Sequence, residues 1–315
     1  MRYLGILTCV FILLLSACQR TETRDADMAV LIKSLTNPYW KTFHDGLLDT
    51  SQLLGRDVYI QGLTAEDQSE VQLNQCENAL LRNPKVMLFS AVNSVNLLPC
   101  LQKAHARGIV LVDLDGNVDE KIADSAGIKV AFSVASNNYE LGVKAAEYLS
   151  DTSGKVLIIE GLSGSEPGLL RVNGFKDNLS DNLEVVASLP GDWDRLKAAN
   201  ITNDVLTRNP DLKIVYAVND LMALGAAETL RSRGRDDVIV IGIDGIADAV
   251  KAINEGRMTA SVAQLPYLIA KQGLEKADKH VFSGKEYEFY QYVPVLTLDK
   301  EILEAKEEPL LEYVR

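Results

Sequence analysis

From residue 28 onward the chain alternates short runs of β-branched and apolar residues with longer amphipathic stretches. No other feature limits the fold as strongly. The short runs at 28–33, 57–62, 86–91, 109–113, 130–134, 155–161, 184–189, 213–219, 238–244 and 260–264 are mostly apolar on both faces. That is the pattern of parallel strands covered on both sides. The stretches at 38–54, 69–82, 94–107, 138–150, 168–178, 195–208, 221–233, 247–255 and 266–282 have helical periodicity. The first opens with Asn37 as an N-cap and Pro38 at the first helical position. Strand–helix alternation of this kind predicts an α/β chain with parallel sheets. About ten strands exceed what one open sheet usually holds, so two doubly wound, Rossmann-like sheets of about five or six strands each are expected. Such sheets bind ligands at the carboxyl ends of their strands, near the point where strand order reverses. Two of them facing each other make a cleft lined by strand-end loops from both.

Composition narrows the function. The chain has 315 residues, 47% apolar and 24% charged, the profile of an ordinary globular protein. A formal net charge of −12 argues against a nucleic-acid or anionic-membrane binder, because phosphate contacts need a basic face. Aromatic residues make up only 6%, so any that cluster carry information.

Residues 1–18 read MRYLGILTCVFILLLSAC, with Arg2 as a positive n-region ahead of an apolar core too short to span a membrane in the mature protein. The tetrad Leu15-Ser16-Ala17-Cys18 resembles the bacterial lipobox, which implies removal of residues 1–17 and lipidation of Cys18. Residues 18–27 then form a polar tether, and the mature chain is exported and membrane-anchored. Cys76 and Cys100 remain. Export to an oxidising compartment allows a Cys76–Cys100 disulfide, while two buried free thiols fit the sequence equally well.

The strand ends carry the chemistry. The first runs into Lys33-Ser34-Leu35-Thr36-Asn37-Pro38-Tyr39-Trp40, a cation, an amide and two large aromatics in one loop. The fourth ends in Val112-Asp113-Leu114-Asp115, and the next loop carries Ser136-Asn137-Asn138. The sixth enters the glycine-rich 161–168 (GLSGSEPG), followed by Arg171; the seventh is followed by Asp192-Trp193-Asp194. The last three end in Asn219-Asp220, Asp244-Gly245 and Gln264-Leu265-Pro266. Taken singly, Asn37, Asn138 and Asp220 are plausible helix caps and Tyr39 and Trp40 plausible core residues. Collectively, planar polar groups framed by aromatic faces suit a polyhydroxylated ligand, each of whose hydroxyls donates one hydrogen bond and accepts up to two.

Five segments, TNPYW (36–40), GDWDR (191–195), AVNDLMALGA (217–226), IGIDG (241–245) and ASVAQLP (260–266), resemble the type 1 periplasmic binding proteins of the ribose-, arabinose- and galactose-binding group, which feed sugar transporters of the ABC class. The likeness runs from Met28 to about Thr297. It implies that Asn37, Tyr39 and Trp40 bond and stack the sugar, that Lys33 donates to its oxygens, and that Asp113 accepts from its hydroxyls. It implies that Arg171 grips ring or hydroxyl oxygens, that Trp193 stacks, and that Asn219, Asp244 and Gln264 make the remaining contacts. Leu114 stands where ribose binders have arginine, and Ser90 where they often have asparagine, so a pyranose of pentose or hexose size is expected rather than a strict ribofuranose. Ser136 is expected at the cleft, beside the first of three hinge crossings near Ser136, Gln264 and Tyr292. The lobes are then 28–136 plus 265–292 and 137–264 plus 293–315.

The loop at 161–168 lacks the Lys-Ser/Thr of a phosphate loop, and no GxGxxG, GxSxG or HExxH motif occurs. His44, His105 and His280 are far apart and read as surface residues rather than metal ligands. No cofactor, metal or enzymatic activity is expected. The expected role is that of a monomeric, lipid-anchored solute-binding protein that closes on a monosaccharide and delivers it to an ABC permease. A co-receptor for a membrane sensor is the alternative. A secreted sugar-acting enzyme, using the Asp113/Asp115 pair, is a third reading.

Overall fold

The structure is a computed structural model that describes residues 25–116, 118 and 120–314. The signal segment, Cys18 and most of the tether lie outside the described residues. In chain order the strands are β1 (Met28–Ile32), β2 (Val58–Gly62), β3 (Val86–Phe89), β4 (Val110–Leu114), β5 (Val130–Ser136), β6 (Gly154–Glu160), β7 (Leu183–Pro190), β8 (Leu212–Ala217), β9 (Ile239–Asp244), β10 (Ala260–Ala263), β11 (Tyr290–Val293) and β12 (Leu296–Asp299). The α-helices are α1 (Pro38–Leu54), α2 (Ser69–Ala79), α3 (Leu98–Ala106), α4 (Glu120–Ser125), α5 (Asn138–Tyr148), α6 (Glu166–Asp177), α7 (Arg195–Arg208), α8 (Asp220–Ser232), α9 (Ala247–Asn254), α10 (Pro266–Ser283) and α11 (Lys300–Ala305).

The strands form two six-stranded sheets, ordered β11-β5-β4-β3-β1-β2 and β12-β10-β9-β8-β6-β7. Every pairing is parallel except β10 with β12. In each sheet the order reverses beside the first strand, β1 or β6, which defines the switch point. Side-chain alternation supplies both faces. Met28, Val30 and Ile32 enter one core, while Ala29 and Leu31 enter the other. Helices cover those faces. Between α5 and α6 the helices meet closely enough that a Cβ on Gly142 would lie 2.1 Å from the Arg171 carbonyl oxygen, so only glycine fits.

The chain passes between sheets after β5, after β10 and after β11. The third passage lies beyond Val293, one residue later than the sequence reading placed it. The carboxyl terminus departs further from that reading. A 3₁₀ turn at Pro309–Tyr313 returns to the first lobe, where the Tyr313 ring stacks on Tyr267 of α10 at 6.2 Å. The last residues therefore clasp the hinge rather than belong to the second lobe. The strands β11 and β12 and the short helices α4 and α11 were not anticipated. Each has only four to six residues, and Tyr290 and Tyr292 are exposed, so no buried apolar run marks β11. Helix α3 begins later than expected because the Asn93 side chain accepts from the backbone of Val95 and Asn96, forming a turn instead.

Cys76 of α2 and Cys100 of α3 are joined by a disulfide, and both residues are fully buried. The bridge closes a loop across a sequence separation of 24, which the chain-entropy account makes worth about 3 kcal/mol. Urea unfolding with and without reductant should therefore differ by about that amount. The Cys76→Ser/Cys100→Ser variant should match the reduced protein. Alkylation of both thiols without prior reduction, read by intact mass, would show that the bridge does not form in solution.

Candidate functional site: a polar cleft between two lobes

A cleft of about 320 Å³ opens between the two sheets at the carboxyl ends of their strands. This lies at the bottom of the range of roughly 300–1,000 Å³ typical of small-molecule sites, so the occupant is small. Of the residues proposed from sequence, Lys33, Asn37, Tyr39, Trp40, Arg171, Trp193, Asn219, Asp244 and Gln264 line it.

The first-lobe wall grows from the β1–α1 loop. Asn37 caps α1 by accepting from the Tyr39 amide at 3.0 Å, and its own amide donates to Glu66 Oε1 at 2.7 Å. The capping and site readings of Asn37 are thus compatible. The Tyr39 hydroxyl donates to Asp115 Oδ2 at 2.8 Å. Burial, reinforced by Asp115, holds the phenol well above its usual pKa, so it stays a proton donor. Trp40 packs edge-on to Tyr39 at 5.1 Å, and Lys33 Nζ stands 5.4 Å from the Trp40 ring while donating to the Asp115 carbonyl at 3.2 Å.

The second-lobe wall is organised around buried charge. Arg171 donates to Asn138 Oδ1 at 2.9 Å and to the Val218 carbonyl at 2.8 Å, and stands 3.6 Å from Asp244. Gln264 Nε2 donates to Asp244 Oδ1 at 2.6 Å, while Gln264 Oε1 is buried without a hydrogen-bond partner among the described residues. Burial raises the Asp244 pKa well above the carboxylate range, and the Arg171 guanidinium opposes that rise. Asp244 also has φ of 133°, a backbone state that L-residues rarely adopt. Asp220 holds it there: its carboxylate accepts from the Gly245 amide at 2.7 Å, the Ile246 amide at 3.0 Å and Ser261 Oγ at 2.7 Å. Asn219 caps α8 by accepting from the Met222 amide at 2.9 Å.

Trp193 is a second strained residue, with φ of 61°. Its ring lies over the glycine-rich loop. A Cβ at Gly161 would fall 2.3 Å from the ring, and one at Gly168 would fall 3.2 Å away. These glycines leave room for the Trp193 ring, a role with no connection to phosphate. The positive-φ residues Asp115, Trp193 and Asp244 line the cleft and Leu265 lies at the hinge, while Asn83 and Lys306 end helices elsewhere.

Four residues proposed from sequence do not line the cleft. Ser90 is fully buried, and its hydroxyl donates to the Leu114 carbonyl, stitching strand ends together. Leu114 is fully buried, and its side chain fills the space above Gly273 of α10. Ser136 donates to the Gln264 carbonyl at 3.2 Å and so ties two hinge crossings. Asp113 accepts from Ser133 Oγ at 2.8 Å and lines a separate recess of about 140 Å³. Asp115, two residues on, takes the place in the cleft foreseen for Asp113, because its φ of 46° turns the chain out of the strand. Asp113 and Asp115 consequently serve different cavities and do not form a pair in the cleft. Glu66, Asp67 and Ser69 after β2 and Asn93 after β3 also line the cleft and were missed. The strand-end rule, applied to the second and third strands as to the others, would have found them. The described residues contain no cluster of metal-ligating side chains.

Burial raises the Asp113 pKa to about 7, against the opposing bond from Ser133 and the charge of Lys33. The folded state therefore binds more protons than the unfolded state between its unfolded value near 3.8 and about 7, and stability falls as pH rises across that window. Asp113→Asn should flatten this slope, gaining on the parent by a few kcal/mol between pH 4.5 and 8 (about 1.4 kcal/mol per pKa unit). Urea midpoints at both pH values test this, and an unchanged slope would contradict it.

The residues 28–286 match the family model described as a periplasmic binding protein domain. The D-allose-binding periplasmic protein of Escherichia coli K12 is 37% identical over 267 residues, covering 82% of this chain and 86% of that protein. The ribose import binding protein of the same organism is 31% identical over 263 residues, with the same coverage. Among solved structures, an ABC transporter periplasmic solute-binding protein from Actinobacillus succinogenes 130z with bound D-allose superposes with a TM-score of 0.82 at 30% identity, covering 88% of this chain and 99% of that one. Sheet order, cleft position and these likenesses agree: the chain belongs to the periplasmic binding protein family.

Proposed function

We propose that this protein is an exported solute-binding protein that captures a monosaccharide, a pyranose of hexose or pentose size, by closing its two lobes and delivers it to an ABC importer. One observation carries this reading. Two tryptophans and the polar ends of strands from both sheets converge on a single small cleft, with the buried Arg171–Asp244–Gln264 group on one side and Lys33, Tyr39 and Asp115 on the other. A ligand touching both walls stabilises the closed form over the open one, which is how binding becomes a conformational signal. The bound D-allose in the Actinobacillus relative favours a hexose. Lys33, Asn37, Tyr39, Trp40, Asp115, Arg171, Trp193, Asn219, Asp244 and Gln264 are the proposed contacts. The lipid anchor at Cys18 and a monomeric state complete the proposal.

A thermal-shift panel of D-allose, D-ribose, other aldoses, polyols and nucleosides tests it. A true ligand at about 100 times its dissociation constant adds roughly 2.7 kcal/mol of apparent stability. If no monosaccharide moves the melting temperature, the proposal fails. Lys33→Ala and Asp244→Asn should each weaken binding by roughly 2–4 kcal/mol, since the first removes a charged donor from a buried site and the second replaces a carboxyl oxygen facing Arg171 or Gln264 with an amide donor. Gly161→Ala should displace the Trp193 ring and lower affinity while leaving the melting temperature of the free protein within a few degrees. Calorimetry on each variant gives these values. Wild-type affinity in any one of them would remove that residue from the site.

A further inference from the structure

Away from the cleft, a recess of about 300 Å³ gathers Lys271, Lys276, Lys279 and Lys285 around Tyr287, with Glu275 the one carboxylate in its wall. Lys276 and Lys285 both stand over the Tyr287 ring, at 4.8 and 5.2 Å, and Lys276 Nζ donates to Gln291 at 3.0 Å. None of the four lysines forms a salt bridge among the described residues. Elsewhere Lys103, Lys144, Lys155, Lys197, Lys213, Lys251 and Lys300 all sit on carboxylates. Burial, with the charges of Lys285 and Lys279, lowers the Lys276 pKa, and Glu275 only partly opposes them. In a chain of net charge −12, such a cluster is a local reversal of sign.

Its position says what covers it. The cluster reaches the carboxyl end of α10, where the Lys285 amide donates to the Lys279 carbonyl at 3.1 Å. Phe282 beside it carries Arg56 at 3.6 Å on its ring and Lys85 at 4.7 Å. Arg56 is paired with Asp278, and Glu286 lies 3.9 Å from His280, so the face also holds acids. The Lys85 amide donates to the Asp27 carbonyl at 3.0 Å, and Asn83 donates to Asp25 at 3.0 Å. The described chain thus begins beside these cations, at the amino ends of the strands and opposite the cleft. From Cys18 to Asp25 the chain spans at most about 25 Å.

We propose that this face is a membrane-resting surface whose lysine recess takes the phosphate of an anionic lipid headgroup, holding the anchored protein on the bilayer with its cleft turned away. It runs against the expectation, drawn from net charge, that the chain is a poor candidate for an anionic-membrane binder. The short reach rests on the lipid anchor proposed above, whereas the recess does not. Tethering supplies an effective concentration on the order of millimolar, so a weak contact is sufficient.

The test uses a chain beginning at residue 19, which cannot be acylated and retains every described strand and helix. Co-flotation with phosphatidylcholine vesicles is compared with and without one-third phosphatidylglycerol. Binding is expected only to the anionic vesicles and should vanish at high salt. Lys279→Gln/Lys285→Gln should lower partitioning about twenty-five-fold, at roughly five-fold per lysine. Lys251→Gln/Lys300→Gln, on the other lobe, should leave it unchanged, and melting curves check that both variants fold. No flotation, equal flotation with both vesicles, or indifference to the Lys279/Lys285 pair would overturn the proposal. Binding of inorganic phosphate without vesicle binding would overturn it too, in favour of a soluble-anion site. Intact mass of the exported full-length protein reads acylation separately, so failure of the anchor does not decide the vesicle result.

Discussion

A parallel strand covered by helices on both faces has no place for a charged side chain except at its ends, because an unpaired charge in the sheet interior loses its hydration with nothing to replace it. The rest of this molecule follows from that restriction. β1 is buried along its whole length, and the first polar side chain after it, Lys33, stands at the edge of the cleft. β8 is followed two residues on by Asn219, and β9 ends in Asp244, in the same manner. Both sheets run parallel with their carboxyl ends facing one cleft, so the polar ends from two separate lobes meet there. The site is the place where the sheets can afford polarity.

Holding those groups in position has an energetic cost, which the surrounding structure offsets. Asp244 and Trp193 occupy backbone states that cost on the order of 1–3 kcal/mol each. Around Asp244, three donors converge on Asp220, which lines no part of the cleft and acts through the loop it holds. Around Trp193, Gly161 and Gly168 give up side chains so that the ring can lie flat. Arg171 does double duty, binding the Val218 carbonyl at the end of β8 and facing Asp244 across the wall. Preorganisation of this kind lowers the ordering cost a ligand must meet.

The two-lobe α/β plan was legible because burial on both faces writes long apolar runs into the sequence. β11 and β12 were not, since each lies near a sheet edge, has four residues and carries few buried side chains. The site was legible wherever a planar polar group directly follows an apolar run, as at Lys33, Asn219 and Asp244. It misled at the fourth strand, where Asp113 and Asp115 differ by a single pleat. Nothing in the composition of that segment says which carboxylate turns toward the cleft; the left-handed backbone at Asp115 decides it.

The sequence by itself determined the fold class, the existence of a strand-end cleft and most of the residue types that line it, because hydrophobic periodicity and chain punctuation are local properties. Tertiary structure alone decided that Asp113 and Ser136 face a recess other than the cleft and that the carboxyl terminus clasps the hinge. It also decided that four lysines of an acidic chain, spread along α10 and just past its end, gather around one recess. These outcomes depend on how elements distant in sequence pack against one another, and no local pattern encodes that geometry.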